Sequence, residues 1–405
     1  MAIPSNRGQN MTISPIRSLI PYARKAKAEG KQVFHLNIGQ PDIPTPPQAM
    51  DAVRAVQDQI ISYGPSEGLF TLREKVAGYF NKFDAHVTGE DIYVTTGASE
   101  AILFTLFATC DVNDEVIIPE PFYANYLGFA ETSSIKIVPV TTHIEEAFGL
   151  PGPEAFERLI TPRTRAIMLC NPGNPTGQLY SDFQLRQILD LCKKNEIFLI
   201  VDEVYREFCY DQKFTSILSI DGGEEHVIVI DSISKVFSSC GARVGFLITK
   251  NENIRKIVLK YAQLRLCPPY LGQVLAEACY EYGHDYIEAA KQEYARRREV
   301  LYEGLNRIEG LQAYKPAAAF YNIVELPVDN ANKFCQWLLS DFSHEGKTVM
   351  LAPADGFYFS ENVGKSQVRI AYILNENHLS TALECLKLGL EQYHDLVMQP
   401  ISSKI

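Results

Sequence analysis

The sequence lacks any run of apolar residues long enough to cross a membrane. Its longest apolar stretches are strand-sized, such as 197–201, whereas a membrane-spanning helix needs about 20 apolar residues. The N-terminal segment contains no apolar signal core, so it gives no indication of export. We therefore expect a cytoplasmic protein without a membrane partner.

Basic residues are scarce relative to acidic ones. The chain has 405 residues, with 38 lysines and arginines against 49 aspartates and glutamates, and a formal net charge of −11. Because nucleic-acid binding depends on neutralising phosphates with lysine and arginine, this balance argues against a nucleic-acid partner. The hydrophobic fraction of 46% is that of an ordinary globular protein and supports a large buried core.

Paired cysteines and metal-binding motifs are also lacking. The nine cysteines are scattered without a Cys-x-x-Cys pair, which favours reduced thiols in the cytoplasm over a disulfide framework. The eight histidines show no His-Glu-x-x-His spacing, so we expect no metal site. Gly364-Lys365-Ser366 has the form of a P-loop end, but the glycine required five residues earlier is Phe359, so that motif fails.

Strand-sized apolar runs alternate with helical patterns through the middle of the chain. One of the intervening helices begins with a capping-box pattern at Ser181 to Gln184. Apolar strands separated by helices are typical of a parallel sheet covered on both faces, so we predict an α/β fold with a mostly parallel sheet. The predicted strands are 91–95, 115–118, 135–140, 165–170, 197–201, 227–230 and 244–248, and the spacing of apolar residues predicts a helix at 51–59.

The two ends of the chain differ from this central pattern. Prolines cluster between 41 and 47, which forbids a continuous helix and predicts an arm or connector. Beyond about residue 251 the pattern is mostly helical and then mixes strands with helices. We predict an N-terminal arm at 1–47, a large domain at 48–290, and a smaller α+β domain at 291–405 that packs with the arm.

Polar residues follow several predicted strands, at the edge where open α/β sheets bind ligands. Gly97, Ala98 and Ser99 lie between a strand and a helix, where backbone N–H groups can bind an anion, although a tight turn capped by Ser99 is the commoner explanation for such a segment taken alone. The segment 171–177, with the sequence NPGNPTG, is more elaborate than a plain turn requires and directs an asparagine amide outward.

Two further strands end in charged residues. Asp202 follows 197–201, and an acid there could hold a cationic nitrogen or a metal, or could cap the following helix. Lys235 follows 227–230 and is a candidate for imine formation, although most loop lysines are simply exposed. Ser232 and Arg243 add anion-binding groups nearby. An imine-forming lysine, a carboxylate and phosphate donors are together the set that pyridoxal phosphate requires.

In this order, the segments 171–177 (NPGNPTG), 202–205 (DEVY) and 232–235 (SISK), followed by Arg243, resemble the class I, aspartate-aminotransferase-like family of pyridoxal-phosphate enzymes of fold type I. The resemblance extends from 14–17 (SPIR) to the last helix. It implies ping-pong transfer of an amino group from an L-amino acid, with aspartate or an aromatic amino acid as candidate donors, to a 2-oxo acid such as 2-oxoglutarate.

The resemblance also implies individual roles. Lys235 would form the imine with pyridoxal 5'-phosphate and move the proton at the substrate α-carbon, and Asp202 would pair with the ring nitrogen. Arg369 would bind the α-carboxylate as a planar, bidentate partner. Cofactor contacts are implied for Tyr63, Gly97, Ala98, Ser99, Tyr123, Asn174, Asp202, Tyr205, Ser232, Lys235 and Arg243, and substrate contacts for Gly39, Asn174 and Arg369.

A homodimer with shared active sites is implied as well. Tyr63 resembles the tyrosine that reaches the phosphate of the neighbouring subunit, and Tyr123 the aromatic residue that stacks on the ring. Core packing is the alternative for both residues, since the chain contains 21 tyrosines.

The substrate and the reaction are less defined. The segment 316–321 has alanine where many relatives have glycine. No motif identifies an arginine that would bind a second substrate carboxylate; Arg17, Arg73 and Arg206 are the candidates, and each could instead be a surface charge. A β-lyase of the same fold is an alternative, because Lys235 and Asp202 would serve it equally. A non-catalytic ligand sensor would need a basic DNA-binding segment, which the first forty residues lack.

Overall fold

The computed structural model describes residues 2–5, 8–9, 11 and 17–398. Its strands are β1 (Gln32–His35), β2 (Ile92–Thr95), β3 (Glu115–Glu120), β4 (Lys136–Thr141), β5 (Thr164–Cys170), β6 (Phe198–Asp202), β7 (Val227–Ser232), β8 (Gly245–Ile248), β9 (Tyr321–Glu325), β10 (Lys347–Met350), β11 (Ala352–Pro353) and β12 (Gln367–Ala371). Its α-helices from residue 17 onward are α1 (Ile20–Ala28), α2 (Pro47–Arg54), α3 (Phe70–Phe80), α4 (Gly97–Thr109), α5 (Asn125–Ser133), α6 (Pro153–Glu157), α7 (Asp182–Lys194), α8 (Ile233–Val236), α9 (Glu252–Arg265), α10 (Tyr270–Tyr282), α11 (His284–Leu305), α12 (Ala331–Ser340) and α13 (Glu376–Met398). None of the described helices is both long enough and apolar enough to cross a membrane.

A seven-stranded sheet with the order β2-β8-β7-β6-β5-β3-β4 forms the centre of the molecule. Strand β8 is antiparallel to β2 and β7, and the other neighbouring pairs are parallel. The connection from β7 to β8 contains no long helix and reverses the chain, whereas a parallel pair needs a full crossover. The mostly parallel α/β sheet predicted from the sequence is confirmed.

Both faces of this sheet are buried. Successive residues of a strand point to opposite faces, and accordingly Leu199 and Val201 lie in one apolar cluster while Ile200 lies in another. Helices α7 and α10 contribute to the first cluster, and helices α4 and α9 to the second. This double coverage explains why the strands are nearly continuous apolar runs.

A second core joins the two ends of the chain. Strand β1 pairs with β10 in parallel, and β11, β12 and β9 form an antiparallel sheet. Helices α1, α11, α12 and α13 share one apolar cluster with β1, so the arm packs against the C-terminal part as expected. The domain bounds at 47 and 290 stay predictions, and position 290 lies inside the continuous helix α11. Residues 12–16 and 399–405, which include most of the 14–17 motif, lie outside the described residues.

Local signals set individual helix bounds. The hydroxyl of Ser181 accepts the Gln184 N–H at 3.3 Å, and the predicted capping box therefore begins α7. The helix expected from apolar spacing at 51–59 is instead α2, which begins at Pro47. Proline is well suited to a first helical turn because its missing N–H would have no partner there.

Candidate active site

A cavity of 310 Å³ lies at the carboxyl edge of the central sheet. Cys170, Asp202 and Ser232 end the neighbouring strands β5, β6 and β7, and all three residues line it. The volume lies within the range of small-molecule sites. Predicted site residues that line the cavity are Gly39, Ala98, Ser99, Tyr123, Asn174, Asp202, Tyr205, Ser232, Lys235, Arg243 and Arg369.

One end of the cavity has the character of an anion site. Helix α4 begins at Gly97, whose φ is +72°, and a Cβ on Gly97 would lie 2.3 Å from the Nη2 atom of Arg243. Glycine at this position therefore allows the guanidinium to lie against the helix N-terminus. Arg243 donates to the carbonyl oxygens of Cys240 and Thr96 and forms no ion pair with a described carboxylate. Backbone N–H groups of a helix terminus, an arginine and Ser232 are donors that suit a phosphate.

Asp202 supplies the negative charge of the cavity. It is 4% exposed, and burial raises its pKa to about 6. Its Oδ2 atom accepts the hydroxyl of Tyr126 at 2.8 Å, and its Oδ1 atom accepts the Val204 N–H at 3.3 Å. No described lysine or arginine forms an ion pair with it. A buried carboxylate in this state is complementary to a cationic group of a ligand.

Lys235 lies at one end of a chain of polar contacts that leads to Asn174. Its Nζ atom donates to the carbonyl oxygen of Gly39 at 2.7 Å. A Cβ on Gly39 would lie 1.7 Å from the hydroxyl oxygen of Tyr321, so only glycine fits at this point. The hydroxyls of Tyr321 and Tyr205 are 2.9 Å apart, and Asn174 donates to Tyr205 at 3.4 Å.

Arg369, in β12, is a buried cation without a described carboxylate partner. Its Nη1 atom donates to Oδ1 of Asn174 at 3.1 Å and its Nη2 atom to the carbonyl of Asn37 at 2.6 Å, while its Nε atom has no hydrogen-bond partner among the described residues. The guanidinium lies over the rings of Tyr321 and Phe357. Burial lowers the pKa of Arg369. An anionic ligand would supply the missing charge.

The three arginines that could bind a second substrate carboxylate differ in their position and in their hydrogen-bond partners. Arg73 donates to the carbonyls of Gly68 and Gly89, and Arg206 forms an ion pair with Asp231; neither arginine lines the cavity. Arg17 does line it, is exposed, and forms no hydrogen bond or ion pair with a described residue. Arg73 and Arg206 are therefore removed as candidates, because their donors serve the protein itself.

Two predicted residues lie outside the cavity lining. Gly97 is directly behind it, in contact with Arg243. Tyr63 is 80% exposed and lies away from the cavity of its own chain, so its predicted role depends on a second subunit. The alanine-rich segment 316–321 packs against the loop 171–177, since a Cβ on Gly177 would lie 3.0 Å from the Ala318 carbonyl oxygen.

Sequence reasoning missed Tyr126 altogether and treated Tyr321 only as part of a motif. The Tyr126 hydroxyl, in α5, donates to Asp202 at the end of β6, and nothing in the local sequence indicates that contact. Tyr321 begins β9, whose pairing with β12 brings it beside Arg369. The proximity of these residues follows from the tertiary fold alone.

The comparisons with known proteins agree along nearly the whole chain. The family model "Aminotransferase class I and II" matches residues 31–386. The aspartate aminotransferase of Bacillus subtilis (strain 168) is 30% identical over 402 residues, covering 96% of this chain and 99% of that protein. Aromatic-amino-acid aminotransferase 2 of Thermococcus litoralis is 30% identical, covering 96% and 98%. The structure of Thermus thermophilus aspartate aminotransferase with maleate has a TM-score of 0.87 at 29% identity, covering 96% of this chain and all of that one.

Proposed function

Because the chain belongs to the class I and II aminotransferase family and is an aminotransferase, we propose that it binds pyridoxal 5'-phosphate in the cavity and transfers an amino group from an L-amino acid to a 2-oxo acid. The observation that carries this proposal is one of charge. Asp202, Arg243 and Arg369 all line one cavity, and none forms an ion pair with a described residue. Their signs match a ring nitrogen, a phosphate and a carboxylate.

The residues present fit the cofactor. Pyridoxal phosphate supplies, when bound, an aldehyde that condenses with the Lys235 amine and a ring that stabilises negative charge at the substrate α-carbon. Asp202 would hold the ring nitrogen, and Arg243 would hold the phosphate. The other residues proposed to contact the cofactor are Gly97, Ala98, Ser99, Tyr123, Asn174, Tyr205 and Ser232.

Side chains of the protein bind the substrate and move its α-proton. Arg369 binds the substrate α-carboxylate beside Gly39 and Asn174 and thereby orients the α-carbon. Lys235, once its amine is free, moves the α-proton with its Nζ atom. The contact between Nζ and the Gly39 carbonyl holds the amine at the same edge of the cavity as Arg369.

Transfer of nitrogen, measured directly, tests this proposal. Purified protein given pyridoxal phosphate, a panel of amino acids and 2-oxoglutarate should form glutamate, and borohydride should link the cofactor to Lys235. Lys235→Ala should abolish both results, whereas Lys250→Ala, beyond the opposite end of β8, should leave both intact. Release of ammonia and pyruvate in place of glutamate would overturn the aminotransferase reaction in favour of a β-lyase.

For the substrate, we propose that Arg17 binds a second carboxylate. It is the one of the three candidates that lines the cavity, and the Thermus enzyme was solved with maleate, a dicarboxylate. Arg17→Met should lower kcat/KM for aspartate by roughly 10- to 100-fold, as expected for a lost hydrogen bond to a charged group, and leave alanine and phenylalanine unaffected. Arg24→Met, on the exposed side of α1, is the control. Equal losses for all donors would contradict this role.

We also propose a cytoplasmic homodimer. All nine cysteines are free, which suits a reducing compartment. Ile60, Ile61 and Tyr63 form an exposed apolar segment, a feature of interaction surfaces. If Tyr63 completes the partner's site, mixing inactive Lys235→Ala with Tyr63→Ala subunits should restore activity, because each hybrid contains one intact site. A monomer in sedimentation, or hybrids without activity, would contradict the proposal.

A further inference from the structure

Asp202 has a single side-chain donor among the described residues, the hydroxyl of Tyr126. That hydroxyl donates to Oδ2 at 2.8 Å, while the backbone N–H of Val204 donates to Oδ1 at 3.3 Å. Tyr126 does not line the 310 Å³ cavity and lies behind the carboxylate. It therefore leaves the cavity side of Asp202 open for a ligand.

The packing around Tyr126 fixes its hydroxyl in place. The residue is buried in the apolar cluster on one face of the central sheet. Its ring stacks on Phe122 with centroids 6.1 Å apart and meets Tyr123 edge-on at 5.5 Å. Burial raises the pKa of the Tyr126 hydroxyl well above its ordinary value, so the phenol keeps its proton and remains a donor.

We propose that Tyr126 is a positioning residue that orients the Asp202 carboxylate toward the cavity and holds it in the ionised form. The inference rests on the proposed function, because an ionised Asp202 matters when it holds a protonated ring nitrogen. A hydrogen bond donated to a carboxylate favours the charged form, and it opposes the burial that otherwise favours the neutral acid.

The other groups near Asp202 cannot take over this task. Asp231, on the adjacent strand β7, raises the pKa of Asp202, and Arg206 lowers it, but these two residues pair with each other. Burial raises the pKa values of the Cys170 thiol and the Tyr205 hydroxyl well above their ordinary values, and that of Tyr123 to about 12, so all three remain uncharged.

Tyr126→Phe removes the donor and keeps the ring. In the protein without cofactor, the Asp202 carboxyl signal, followed by carbon-13 NMR and assigned with Asp202→Asn, should titrate about one to two pH units higher than in the wild type. Tyr93→Phe is the matched control, because Tyr93 lies in the same apolar cluster and donates to the Arg255 carbonyl at 3.0 Å, away from the cavity. An unchanged Asp202 titration, or an equal shift in Tyr93→Phe, would overturn the proposal.

Cofactor binding gives a second measurement. Tyr126→Phe should weaken pyridoxal-phosphate binding about tenfold near neutral pH, and raising the pH above the new pKa should restore it. In an Asp202→Asn background the same change should have no further effect, and additive losses would contradict the mechanism. Failure of the wild type to bind the cofactor would overturn the proposed function, while the carboxyl titration would still decide the role of Tyr126.

Discussion

Arg206 and Arg369 are 4% and 2% exposed, but they differ in what neutralises their charge. Arg206 lies behind the central sheet, where it pairs with Asp231 and covers the ring of Phe80 at 4.0 Å. Arg369 lies at the cavity, where its described acceptors are the Asn37 carbonyl and the Asn174 amide oxygen. The charge of Arg206 is therefore neutralised within the protein, whereas Arg369 has no carboxylate partner among the described residues.

The same contrast separates two aspartates. Asp231 and Asp202 each follow an apolar run of the central sheet, in β7 and β6. Asp231 is paired with Arg206, whereas Asp202 accepts hydrogen bonds but forms no ion pair with a described lysine or arginine. Burial of a charged residue is therefore not the mark of a functional site in this fold. The cavity is distinguished instead by buried charges that have no oppositely charged partner among the described residues.

The largest expected effect on stability comes from breaking the buried ion pair between Arg206 and Asp231. Arg206→Met leaves Asp231 buried without a cation, which should reduce the free energy of unfolding by about 3–5 kcal/mol, measured with urea on the protein without cofactor. The double variant Arg206→Met with Asp231→Leu removes both charges and should recover most of this loss. Wild-type stability in the single variant would mean that the pair is not structural.

Arg369→Met should behave in the opposite way. The free energy of unfolding of the protein without cofactor should change little, because no described carboxylate loses its partner. The Michaelis constant for every amino acid should rise by roughly 100-fold, equivalent to about 3 kcal/mol, when the substrate carboxylate loses a buried cation. If the Michaelis constant rose only for dicarboxylic donors, Arg369 would instead bind the second carboxylate of the substrate. The contrast between Arg206 as a structural residue and Arg369 as the α-carboxylate residue would then be wrong.

Much of the fold could be predicted because its signals are local. The predicted strands of the central sheet appear with bounds shifted by a few residues, and the Ser181 capping box begins α7. The helix predicted at 51–59 begins earlier, at Pro47, because proline suits the first helical turn, and apolar spacing alone does not register this signal. The antiparallel direction of β8 could not be read from its apolar composition.

For the candidate site, the sequence motifs named most of the residues that line the cavity, because residues that follow parallel strands meet at one edge of the sheet. What they could not do was separate Arg17 from Arg73 and Arg206. That distinction depends on which acceptors lie near each guanidinium, and those acceptors come from distant parts of the chain. The Tyr126 contact with Asp202 was out of reach for the same reason.

The effect that is smallest per pH unit concerns how stability varies with pH. Burial raises the pKa of Glu203 to about 7 and that of Asp202 to about 6. Glu203 belongs to the structural side of the comparison, since it accepts hydrogen bonds from the Ser216 hydroxyl and the Ile217 N–H. Each acid keeps its proton to higher pH in the folded state than in the unfolded state. Raising the pH through the folded pKa therefore removes stability.

The slope of unfolding free energy against pH can separate the two acids. Each contributes up to about 1.4 kcal/mol per pH unit between its unfolded and folded pKa values. Glu203→Gln should remove the contribution of Glu203 to this slope, which extends up to about pH 7. Asp202→Asn should remove the contribution of Asp202, which extends up to about pH 6. Saturating pyridoxal phosphate should act like Asp202→Asn, because a cation beside the carboxylate lowers its pKa, and should leave the share of Glu203 in place. If the cofactor removed the pH-dependent contributions of both Asp202 and Glu203, or of neither, the cavity and the surroundings of Glu203 would not be independent. That result would contradict the distinction between buried charges that are satisfied within the protein and those that await a ligand.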